Sequence, residues 1–396
     1  MRKSIHYSEK IIKCLKSQNL SSIISDISQV YAKHIMTILI TMFCLGYRSK
    51  TVDMARHSDN HRTAIAHFLN KGKWDEKPLE QALKAAVIKI IYEESRKTGL
   101  PVFVIVDDTI CSKTIPDSKA EHPIESAGYH YSHLKRKTDY GHQAVGIMLS
   151  CNGITLNYAI VMYDKEQSKI DIVKNIAEEL PRVTVVSYLL CDSWYTCAKV
   201  SEAFIRKGFY TVGGLKTNRI IFPKGVRVGL SKFAQNLSVN NDLFHIVTVK
   251  GRKYHIYRYE GNLKDIDNAV VLISYPVGAL GNPKALRAFL CTNSELSDTE
   301  ILNLYVTRWE IEVFFRDVKT KLAFDQYQIR SSRGIRRLWL LCSLAYYIAC
   351  CEDTRYNFSV GYKMLSRKIF EEQLDYIYDF VAHGGTREDF LTLFAS

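Results

Sequence analysis

The chain is poor in the residues that interrupt or replace a packed core. It has 8 prolines in 396 residues and no low-complexity stretch, which argues against a disordered or fibrous protein. Ten cysteines are present, but there is no C-x-x-C pair and no His/Cys cluster at zinc spacing. Neither a zinc module nor a dithiol redox motif is therefore expected. The adjacent Cys350 and Cys351, like Cys191 and Cys197, read as small buried hydrophobes in a reducing compartment. Long hydrophobic runs are also missing. The two longest, residues 35–47 and 338–351, are short for a bilayer and flanked by charge, so buried core helices are expected. Met1-Arg2-Lys3-Ser4-Ile5-His6 leads into polar residues without an apolar signal core. The expectation is a soluble, cytoplasmic protein with no membrane partner.

Acidic residues are outnumbered: Lys and Arg total 54, Asp and Glu 41, for a formal charge of +13. This balance favours a polyanionic partner, although an ordinary basic enzyme has the same signature. A chain this long is expected to form two or three domains. The first hundred residues look helical, with Ile11, Ile12, Leu15 and Leu20 at helical spacing and an apolar helix over 30–47. Residues 51–57 and 61–71 read as two short helices around the turn Ser58-Asp59-Asn60. The second carries His61, Arg62, His67 and Lys71, which suits either a DNA-reading helix-turn-helix or a plain helical hairpin. A further helix over 79–96 stops at Gly99, with Pro101 beyond.

The pattern then changes. Residues 102–106 (Val-Phe-Val-Ile-Val) and 184–191 (Thr-Val-Val-Ser-Tyr-Leu-Leu-Cys) are continuous apolar runs, as in strands buried on both faces. Strands are also expected over 142–150 and 154–163, joined by Cys151-Asn152-Gly153, and over 208–214. Helices are expected over 170–180 and 194–207. This order matches the start of an RNase H-like α/β fold. Short alternating runs over 216–293 imply a β-rich insertion. From Ser297, an N-cap with Glu300 at N3, the chain returns to helix. The organisation expected is a helical region over 1–99, a core over 100–215 and 294–345, the insertion over 216–293, and a helical region over 346–396.

Asp108 and Asp192 close the two most apolar strands, the place where side chains of α/β sheets meet a crevice. A carboxylate there needs a counter-charge or a metal, although Asp192 also suits a helix cap. Tyr305, Arg308, Glu312 and Lys319 are spaced 3, 4 and 7 residues apart. At about 100° per residue they share one stripe of a helix within about 60°, with Arg316 alongside and Glu310 facing elsewhere. Such a stripe can also be a solvated face with an Arg308–Glu312 pair.

The pattern Y-x2-R-x3-E-x6-K, formed by Tyr305, Arg308, Glu312 and Lys319, resembles the signature of DDE transposases of bacterial insertion sequences of the IS-four type. The apolar strands ending in Asp-Asp-Thr and in Asp before an aromatic-bearing helix, and the insertion before Glu312, are similar to that group over about residues 100–345. The resemblance implies that Asp108, Asp192 and Glu312 hold two Mg2+ or Mn2+ ions. Thr109 favours Asp108 over Asp107, and whether Asp107 shares the role stays open. It further implies that Tyr305, Arg308 and Lys319, with Arg316 and Arg62 as added candidates, contact DNA. The partners implied are double-stranded element ends and target DNA, bound by a homodimer in a bacterial, nucleoid-associated setting. A domesticated DNA-binding protein and a non-transposing RNase H-like nuclease are the competing readings. Residues 135–137, 250–253 and 333–337 are basic runs that could track phosphates.

Overall fold

The computed structural model describes residues 29–48, 50–56, 61–132 and 135–389. The spacing of Ile11, Ile12, Leu15 and Leu20, and the segment from His57 to Asn60, lie outside the described residues, as does the side chain of Arg62.

Among the described residues four α-helices precede the first strand: α1 (Gln29–Leu45), α2 (Thr51–Arg56), α3 (Arg62–Asn70) and α4 (Lys77–Thr98). Along α4, Leu79, Leu83, Val87, Ile91 and Ser95 are buried, one every four residues, so a single stripe faces inward. The helix stops where Gly99 takes a left-handed φ of 69° and donates its N–H to the Ser95 carbonyl. Ile38, Leu39 and Phe43 of α1 and Ile65, Phe68 and Leu69 of α3 enter the same continuous apolar core as the sheet that follows. α4 packs directly on the sheet, whereas α1 and α3 join the same core through the C-terminal helices over 332–382.

The sheet begins with β1 (Phe103–Ser112), β2 (Gly128–Ser132), β3 (Lys137–Cys151), β4 (Ile154–Tyr163), β5 (Ser187–Cys191) and β6 (Phe209–Leu215). β4, β3 and β1 are antiparallel neighbours, and β5 and β6 run parallel to β1 on its other side. The spatial order β4-β3-β1-β5-β6 is consistent with an RNase H-like core, and β2 extends the start of β3. Asn152 and Gly153 both take positive φ, 50° and 80°, as a two-residue hairpin turn demands. β1 outlasts the run expected from apolar residues. Its pairing with β5 ends at Val106 and Cys191, whereas its pairing with β3 continues to Ser112. Asp107 and Asp108 thus sit where β1 and β5 part.

The segment expected as an insertion, residues 216–293, begins with a short ribbon, β7 (Ile220–Ile221) with β8 (Val228–Gly229), then helix α7 (Leu230–Leu237). A meander follows: β9 (His245–Val249), β10 (Arg252–Gly261), β11 (Ala269–Pro276) and β12 (Arg287–Cys291). β12 pairs antiparallel with β6, so the meander continues the core sheet, and ten of the described strands form one surface. Leu215, Leu230, Val271, Ile273 and Tyr275 close a second apolar cluster under it.

The remaining α-helices among the described residues are α5 (Lys169–Glu179), α6 (Ala198–Ile205), α8 (Asp298–Thr307), α9 (Trp309–Lys321), α10 (Ser332–Glu352) and α11 (Phe358–Ala382). Ser297 and Glu300 form a reciprocal capping box that starts α8. α10 is long and apolar enough to cross a membrane, but most of it is buried in the protein. One basic run has a different role from the one expected. Arg337 is fully buried, its guanidinium donating to the carbonyls of Phe68 (3.2 Å), Leu69 (3.0 Å) and Trp74 (2.5 Å) and pairing with Glu76 at 3.0 Å. It neutralises the carboxyl end of α3 and is withdrawn from any phosphate track; Arg333 and Arg336 remain on the surface.

Candidate active site

Side chains alternate along a strand, so the neighbours Asp107 and Asp108 point to opposite faces of β1. α9 covers the Asp107 face. Its close approach depends on Gly146, the register partner of Asp107: a Cβ there would lie 2.6 Å from Phe315 Cζ and 3.5 Å from Ile311 Cδ1.

On this face Arg308 donates through Nη1 to Asp107 Oδ2 at 2.5 Å and through Nη2 to Glu312 Oε1 at 2.6 Å. One guanidinium thus bridges two acids from elements far apart in the chain, Asp107 on β1 and Glu312 on α9. Arg308 Nε is buried without an acceptor. Thr109, on the same face as Asp107, receives Lys319 Nζ at 2.8 Å, and that ammonium also donates to the Ile110 carbonyl at 3.1 Å. Tyr305 lies over β6, where a Cβ on Gly214 would meet its hydroxyl at 3.1 Å. Its ring packs edge-on against Phe289 with centroids 4.7 Å apart. The Tyr305, Arg308, Glu312 and Lys319 stripe therefore faces the sheet. Arg308 is the junction between α8 and α9, and its φ of −53° and ψ of −26° keep a helical course through it. Arg316 is exposed on the outer part of α9.

Asp108 has a different environment. Its Oδ1 accepts from Gln143 Nε2 at 2.6 Å, and its Oδ2 accepts from Lys169 Nζ and the Tyr195 hydroxyl, both at 2.8 Å. Asp192 directly follows β5, and its Oδ1 accepts the Trp194 N–H at 2.9 Å. It thus caps a turn over 192–195, while Cys197 takes the N-cap position of α6. The structure brings Asp107, Arg308 and Glu312 together, with Asp192 close enough that its charge acts on Asp107. Asp108 is held on the other side of the strand.

Burial pushes the Asp107 carboxyl up to about 7; Arg308 opposes the shift, and the charges of Asp192 and Asp108 add to it. Asp192 is also pushed up, by burial first and by the charge of Asp108, against its bond from the Trp194 N–H. Crowded carboxylates with raised proton affinity are what a polyvalent cation would relieve. Among the described residues no three His, Cys, Asp or Glu side chains are grouped closely enough to hold a metal ion as they stand, and Arg308 is the cation between Asp107 and Glu312. Lys169, Gln143 and Tyr195 carry no motif that would single them out in the sequence. Asp107 and Thr109, two residues apart on β1, share one strand face, and Asp108 between them takes the other.

An RNase H-like mixed sheet, with acids where β1 and β5 part and a facing helix that carries a glutamate, defines the class of the DDE endonucleases. Residues 98–348 match the family model described as Transposase DDE domain, and the chain belongs to that family. Residues 27–165 also match a model described as DDE superfamily endonuclease. No curated protein matches the chain.

Proposed function

We propose that the protein is a DNA transposase that cuts DNA at the ends of its element and joins the freed 3′-OH to target DNA, with Asp107, Asp192 and Glu312 as its metal-holding acids. The observation that carries this reading is the Arg308 bridge between Asp107 and Glu312, with the half-buried Asp192 nearby. The donor set is all carboxylate oxygen, which suits Mg2+ or Mn2+. Two such ions, when bound, activate the attacking oxygen and stabilise the leaving one. Asp108, the first acid expected from Thr109, acts in this reading as an anchor: it ties Lys169 and Tyr195 to the back of β1.

The side chains around the acids act on the DNA. Arg308, once released, offers a two-pronged fork to a phosphate, and Lys319 offers a point charge. Tyr305 donates its hydroxyl to a backbone oxygen, and Arg316 extends the basic surface along α9. Water attacks the phosphodiester at each 3′ end of the element. The freed 3′-OH then attacks a target phosphodiester and displaces its 3′-oxygen, with no covalent enzyme intermediate. Two ends must be held at once, so the working form is a homodimer on paired terminal repeats. His67 on α3 and His61 and Lys71 at its two caps are exposed and supply the groove-reading surface, to which the sequence reading adds Arg62.

The test is cleavage of a duplex that carries an element end, in Mg2+ or Mn2+. Asp107→Asn, Asp192→Asn and Glu312→Gln are expected to stop cutting while DNA binding persists. Normal cutting by Glu312→Gln would remove the assignment altogether. If folded Asp108→Asn is dead and Asp107→Asn is active, the first acid is Asp108.

A further inference from the structure

His130 on β2 is 7% exposed, and its Nε2 has no hydrogen-bond partner. A buried ring nitrogen without a partner costs free energy until a ligand completes it. The register fixes which way the ring faces. His130 pairs with Asp139 and Gly128 with Gly141, positions of β3 that alternate with Gly146, the partner of Asp107. The ring therefore lies on the Asp108 face of the sheet, opposite the proposed metal-holding acids. Gly128 leaves a hollow beside it. A Cβ there would lie 3.2 Å from Lys165 Nζ and 3.8 Å from His130 Nε2. The backbone does not demand glycine, because the φ of Gly128 is not positive. Lys165 follows β4 with a left-handed φ of 71°, which a lysine rarely adopts, and among the described residues its ammonium has no carboxylate partner. Asp164 beside it accepts the Glu166 N–H at 3.2 Å within its own loop. A second ammonium is near: Lys169 Nζ, held by Asp108 at 2.8 Å, lies 5.8 Å from the centroid of the Tyr163 ring, and the His130 ring lies 6.0 Å from the same centroid. Burial lowers the proton affinity of the imidazole. The charges of Lys165 and Lys169 lower it further, against the Gly141 backbone and the charge of Asp108. Nitrogen groups crowded in this way are relieved by an anion.

We propose that Gly128, His130 and Lys165 form a binding site for one phosphate group on the back of the catalytic sheet. Lys165 pairs with its charge, and His130 donates a hydrogen bond with the proton on Nε2. Lys169 attracts it from a greater distance. The donors come from β2 and from the loop after β4, so they approach the hollow from different directions. That suits the tetrahedral oxygens of phosphate better than a planar carboxylate. The phosphate is a backbone group of duplex DNA or a free ion; both present the same oxygens. The inference goes beyond the transposase reading and does not depend on it, because the hollow and the three acids lie on opposite faces of β1.

The experiment uses the full chain without divalent metal. Gly128→Ala fills the hollow and displaces only the end of Lys165. Lys165→Gly removes the ammonium and accepts the left-handed turn. Lys97→Ala, at an exposed lysine of α4, controls for the loss of one positive charge. Inorganic phosphate is titrated into each protein at constant ionic strength, with the histidine ring nitrogens followed by NMR. The expected result is a saturable shift of the His130 nitrogens in the unmodified protein and in Lys97→Ala. Both hollow variants should weaken phosphate binding about tenfold or more, the loss of one charge-assisted hydrogen bond. A blunt duplex is the second probe. If the phosphate belongs to DNA, the two hollow variants also weaken duplex binding, and inorganic phosphate competes with the duplex. If it is a free ion, all four proteins bind the duplex alike. No saturable shift, a shift that both hollow variants retain, or equal losses in all three variants would each overturn the site. None of these readouts involves cutting, so they stand or fall apart from the test of Asp107, Asp192 and Glu312.

Discussion

Replacing Arg308 with methionine removes the cation between Asp107 and Glu312 and keeps most of the side-chain volume, and its cost depends on pH in a way that can be worked out. The Arg308 side chain is 14% exposed, Asp107 19% and Glu312 33%. Breaking a fully buried pair costs about 3–5 kcal/mol, but the partly exposed Glu312 arm contributes no more than about 1 kcal/mol. Asp107 decides the rest. Its folded value is about 7, against roughly 3.9 unfolded. Between those two values the folded state holds more protons than the unfolded state, so stability falls as pH rises, and above about 7 the slope vanishes. Without Arg308 the folded carboxyl keeps its proton to higher pH, and the fall continues. The variant should therefore lose about 1 kcal/mol near pH 6, and the deficit should grow by about 1.4 kcal/mol per unit above pH 7. At about 2 °C per kcal/mol for a chain of this size, thermal melts at pH 6, 7, 8 and 9 resolve it. Added Mn2+ should stabilise the variant more than the unmodified protein, because no guanidinium has to leave. A deficit that is flat across pH 6–9, or a smaller Mn2+ effect in the variant, refutes the reasoning.

Asp107→Asn should flatten the fall in stability between about pH 4 and 7 in the metal-free protein, which denaturant melts across that range would show; an unchanged slope assigns the titration to another group. Gly146→Ala should destabilise by about 1–3 kcal/mol through overpacking against Phe315, seen as a lower Tm; an unchanged Tm would mean that α9 shifts outward freely. Arg337→Leu should cost about 3–5 kcal/mol, because it strands the Phe68, Leu69 and Trp74 carbonyls, while Arg336→Ala should stay within about 0.5 kcal/mol. Equal effects from the two would mean that Arg337 is not the buried partner. Ser297→Ala should remove about 1 kcal/mol of helix-capping energy, measured by urea titration.

Local signals in the sequence carried far. The strand at 154–163, the turn at Asn152-Gly153, the stop at Gly99 and the capping box at Ser297 and Glu300 rest on rules that operate within a few residues, and each is present. The stripe from Tyr305 to Lys319 was legible because helical periodicity survives the junction at Arg308. Nonlocal pairing was not legible. Nothing near residue 287 says that β12 will pair with β6 and carry the meander into the core sheet. Arg337 reads as one more charge in a basic run until α3 is placed against α10. The choice between Asp107 and Asp108 also depends on pairing: both follow the same apolar run, and only the face covered by α9 separates them.

The most direct test of the account is the position of Mn2+ in crystals of the full chain, located by its anomalous scattering. The account places Mn2+ on the α9 side of β1, within coordination distance of Asp107, Asp192 and Glu312, with Arg308 moved off the two carboxylates. Mn2+ bound instead to Asp108, with Lys169 and Tyr195 displaced and the Arg308 bridge intact, would contradict it.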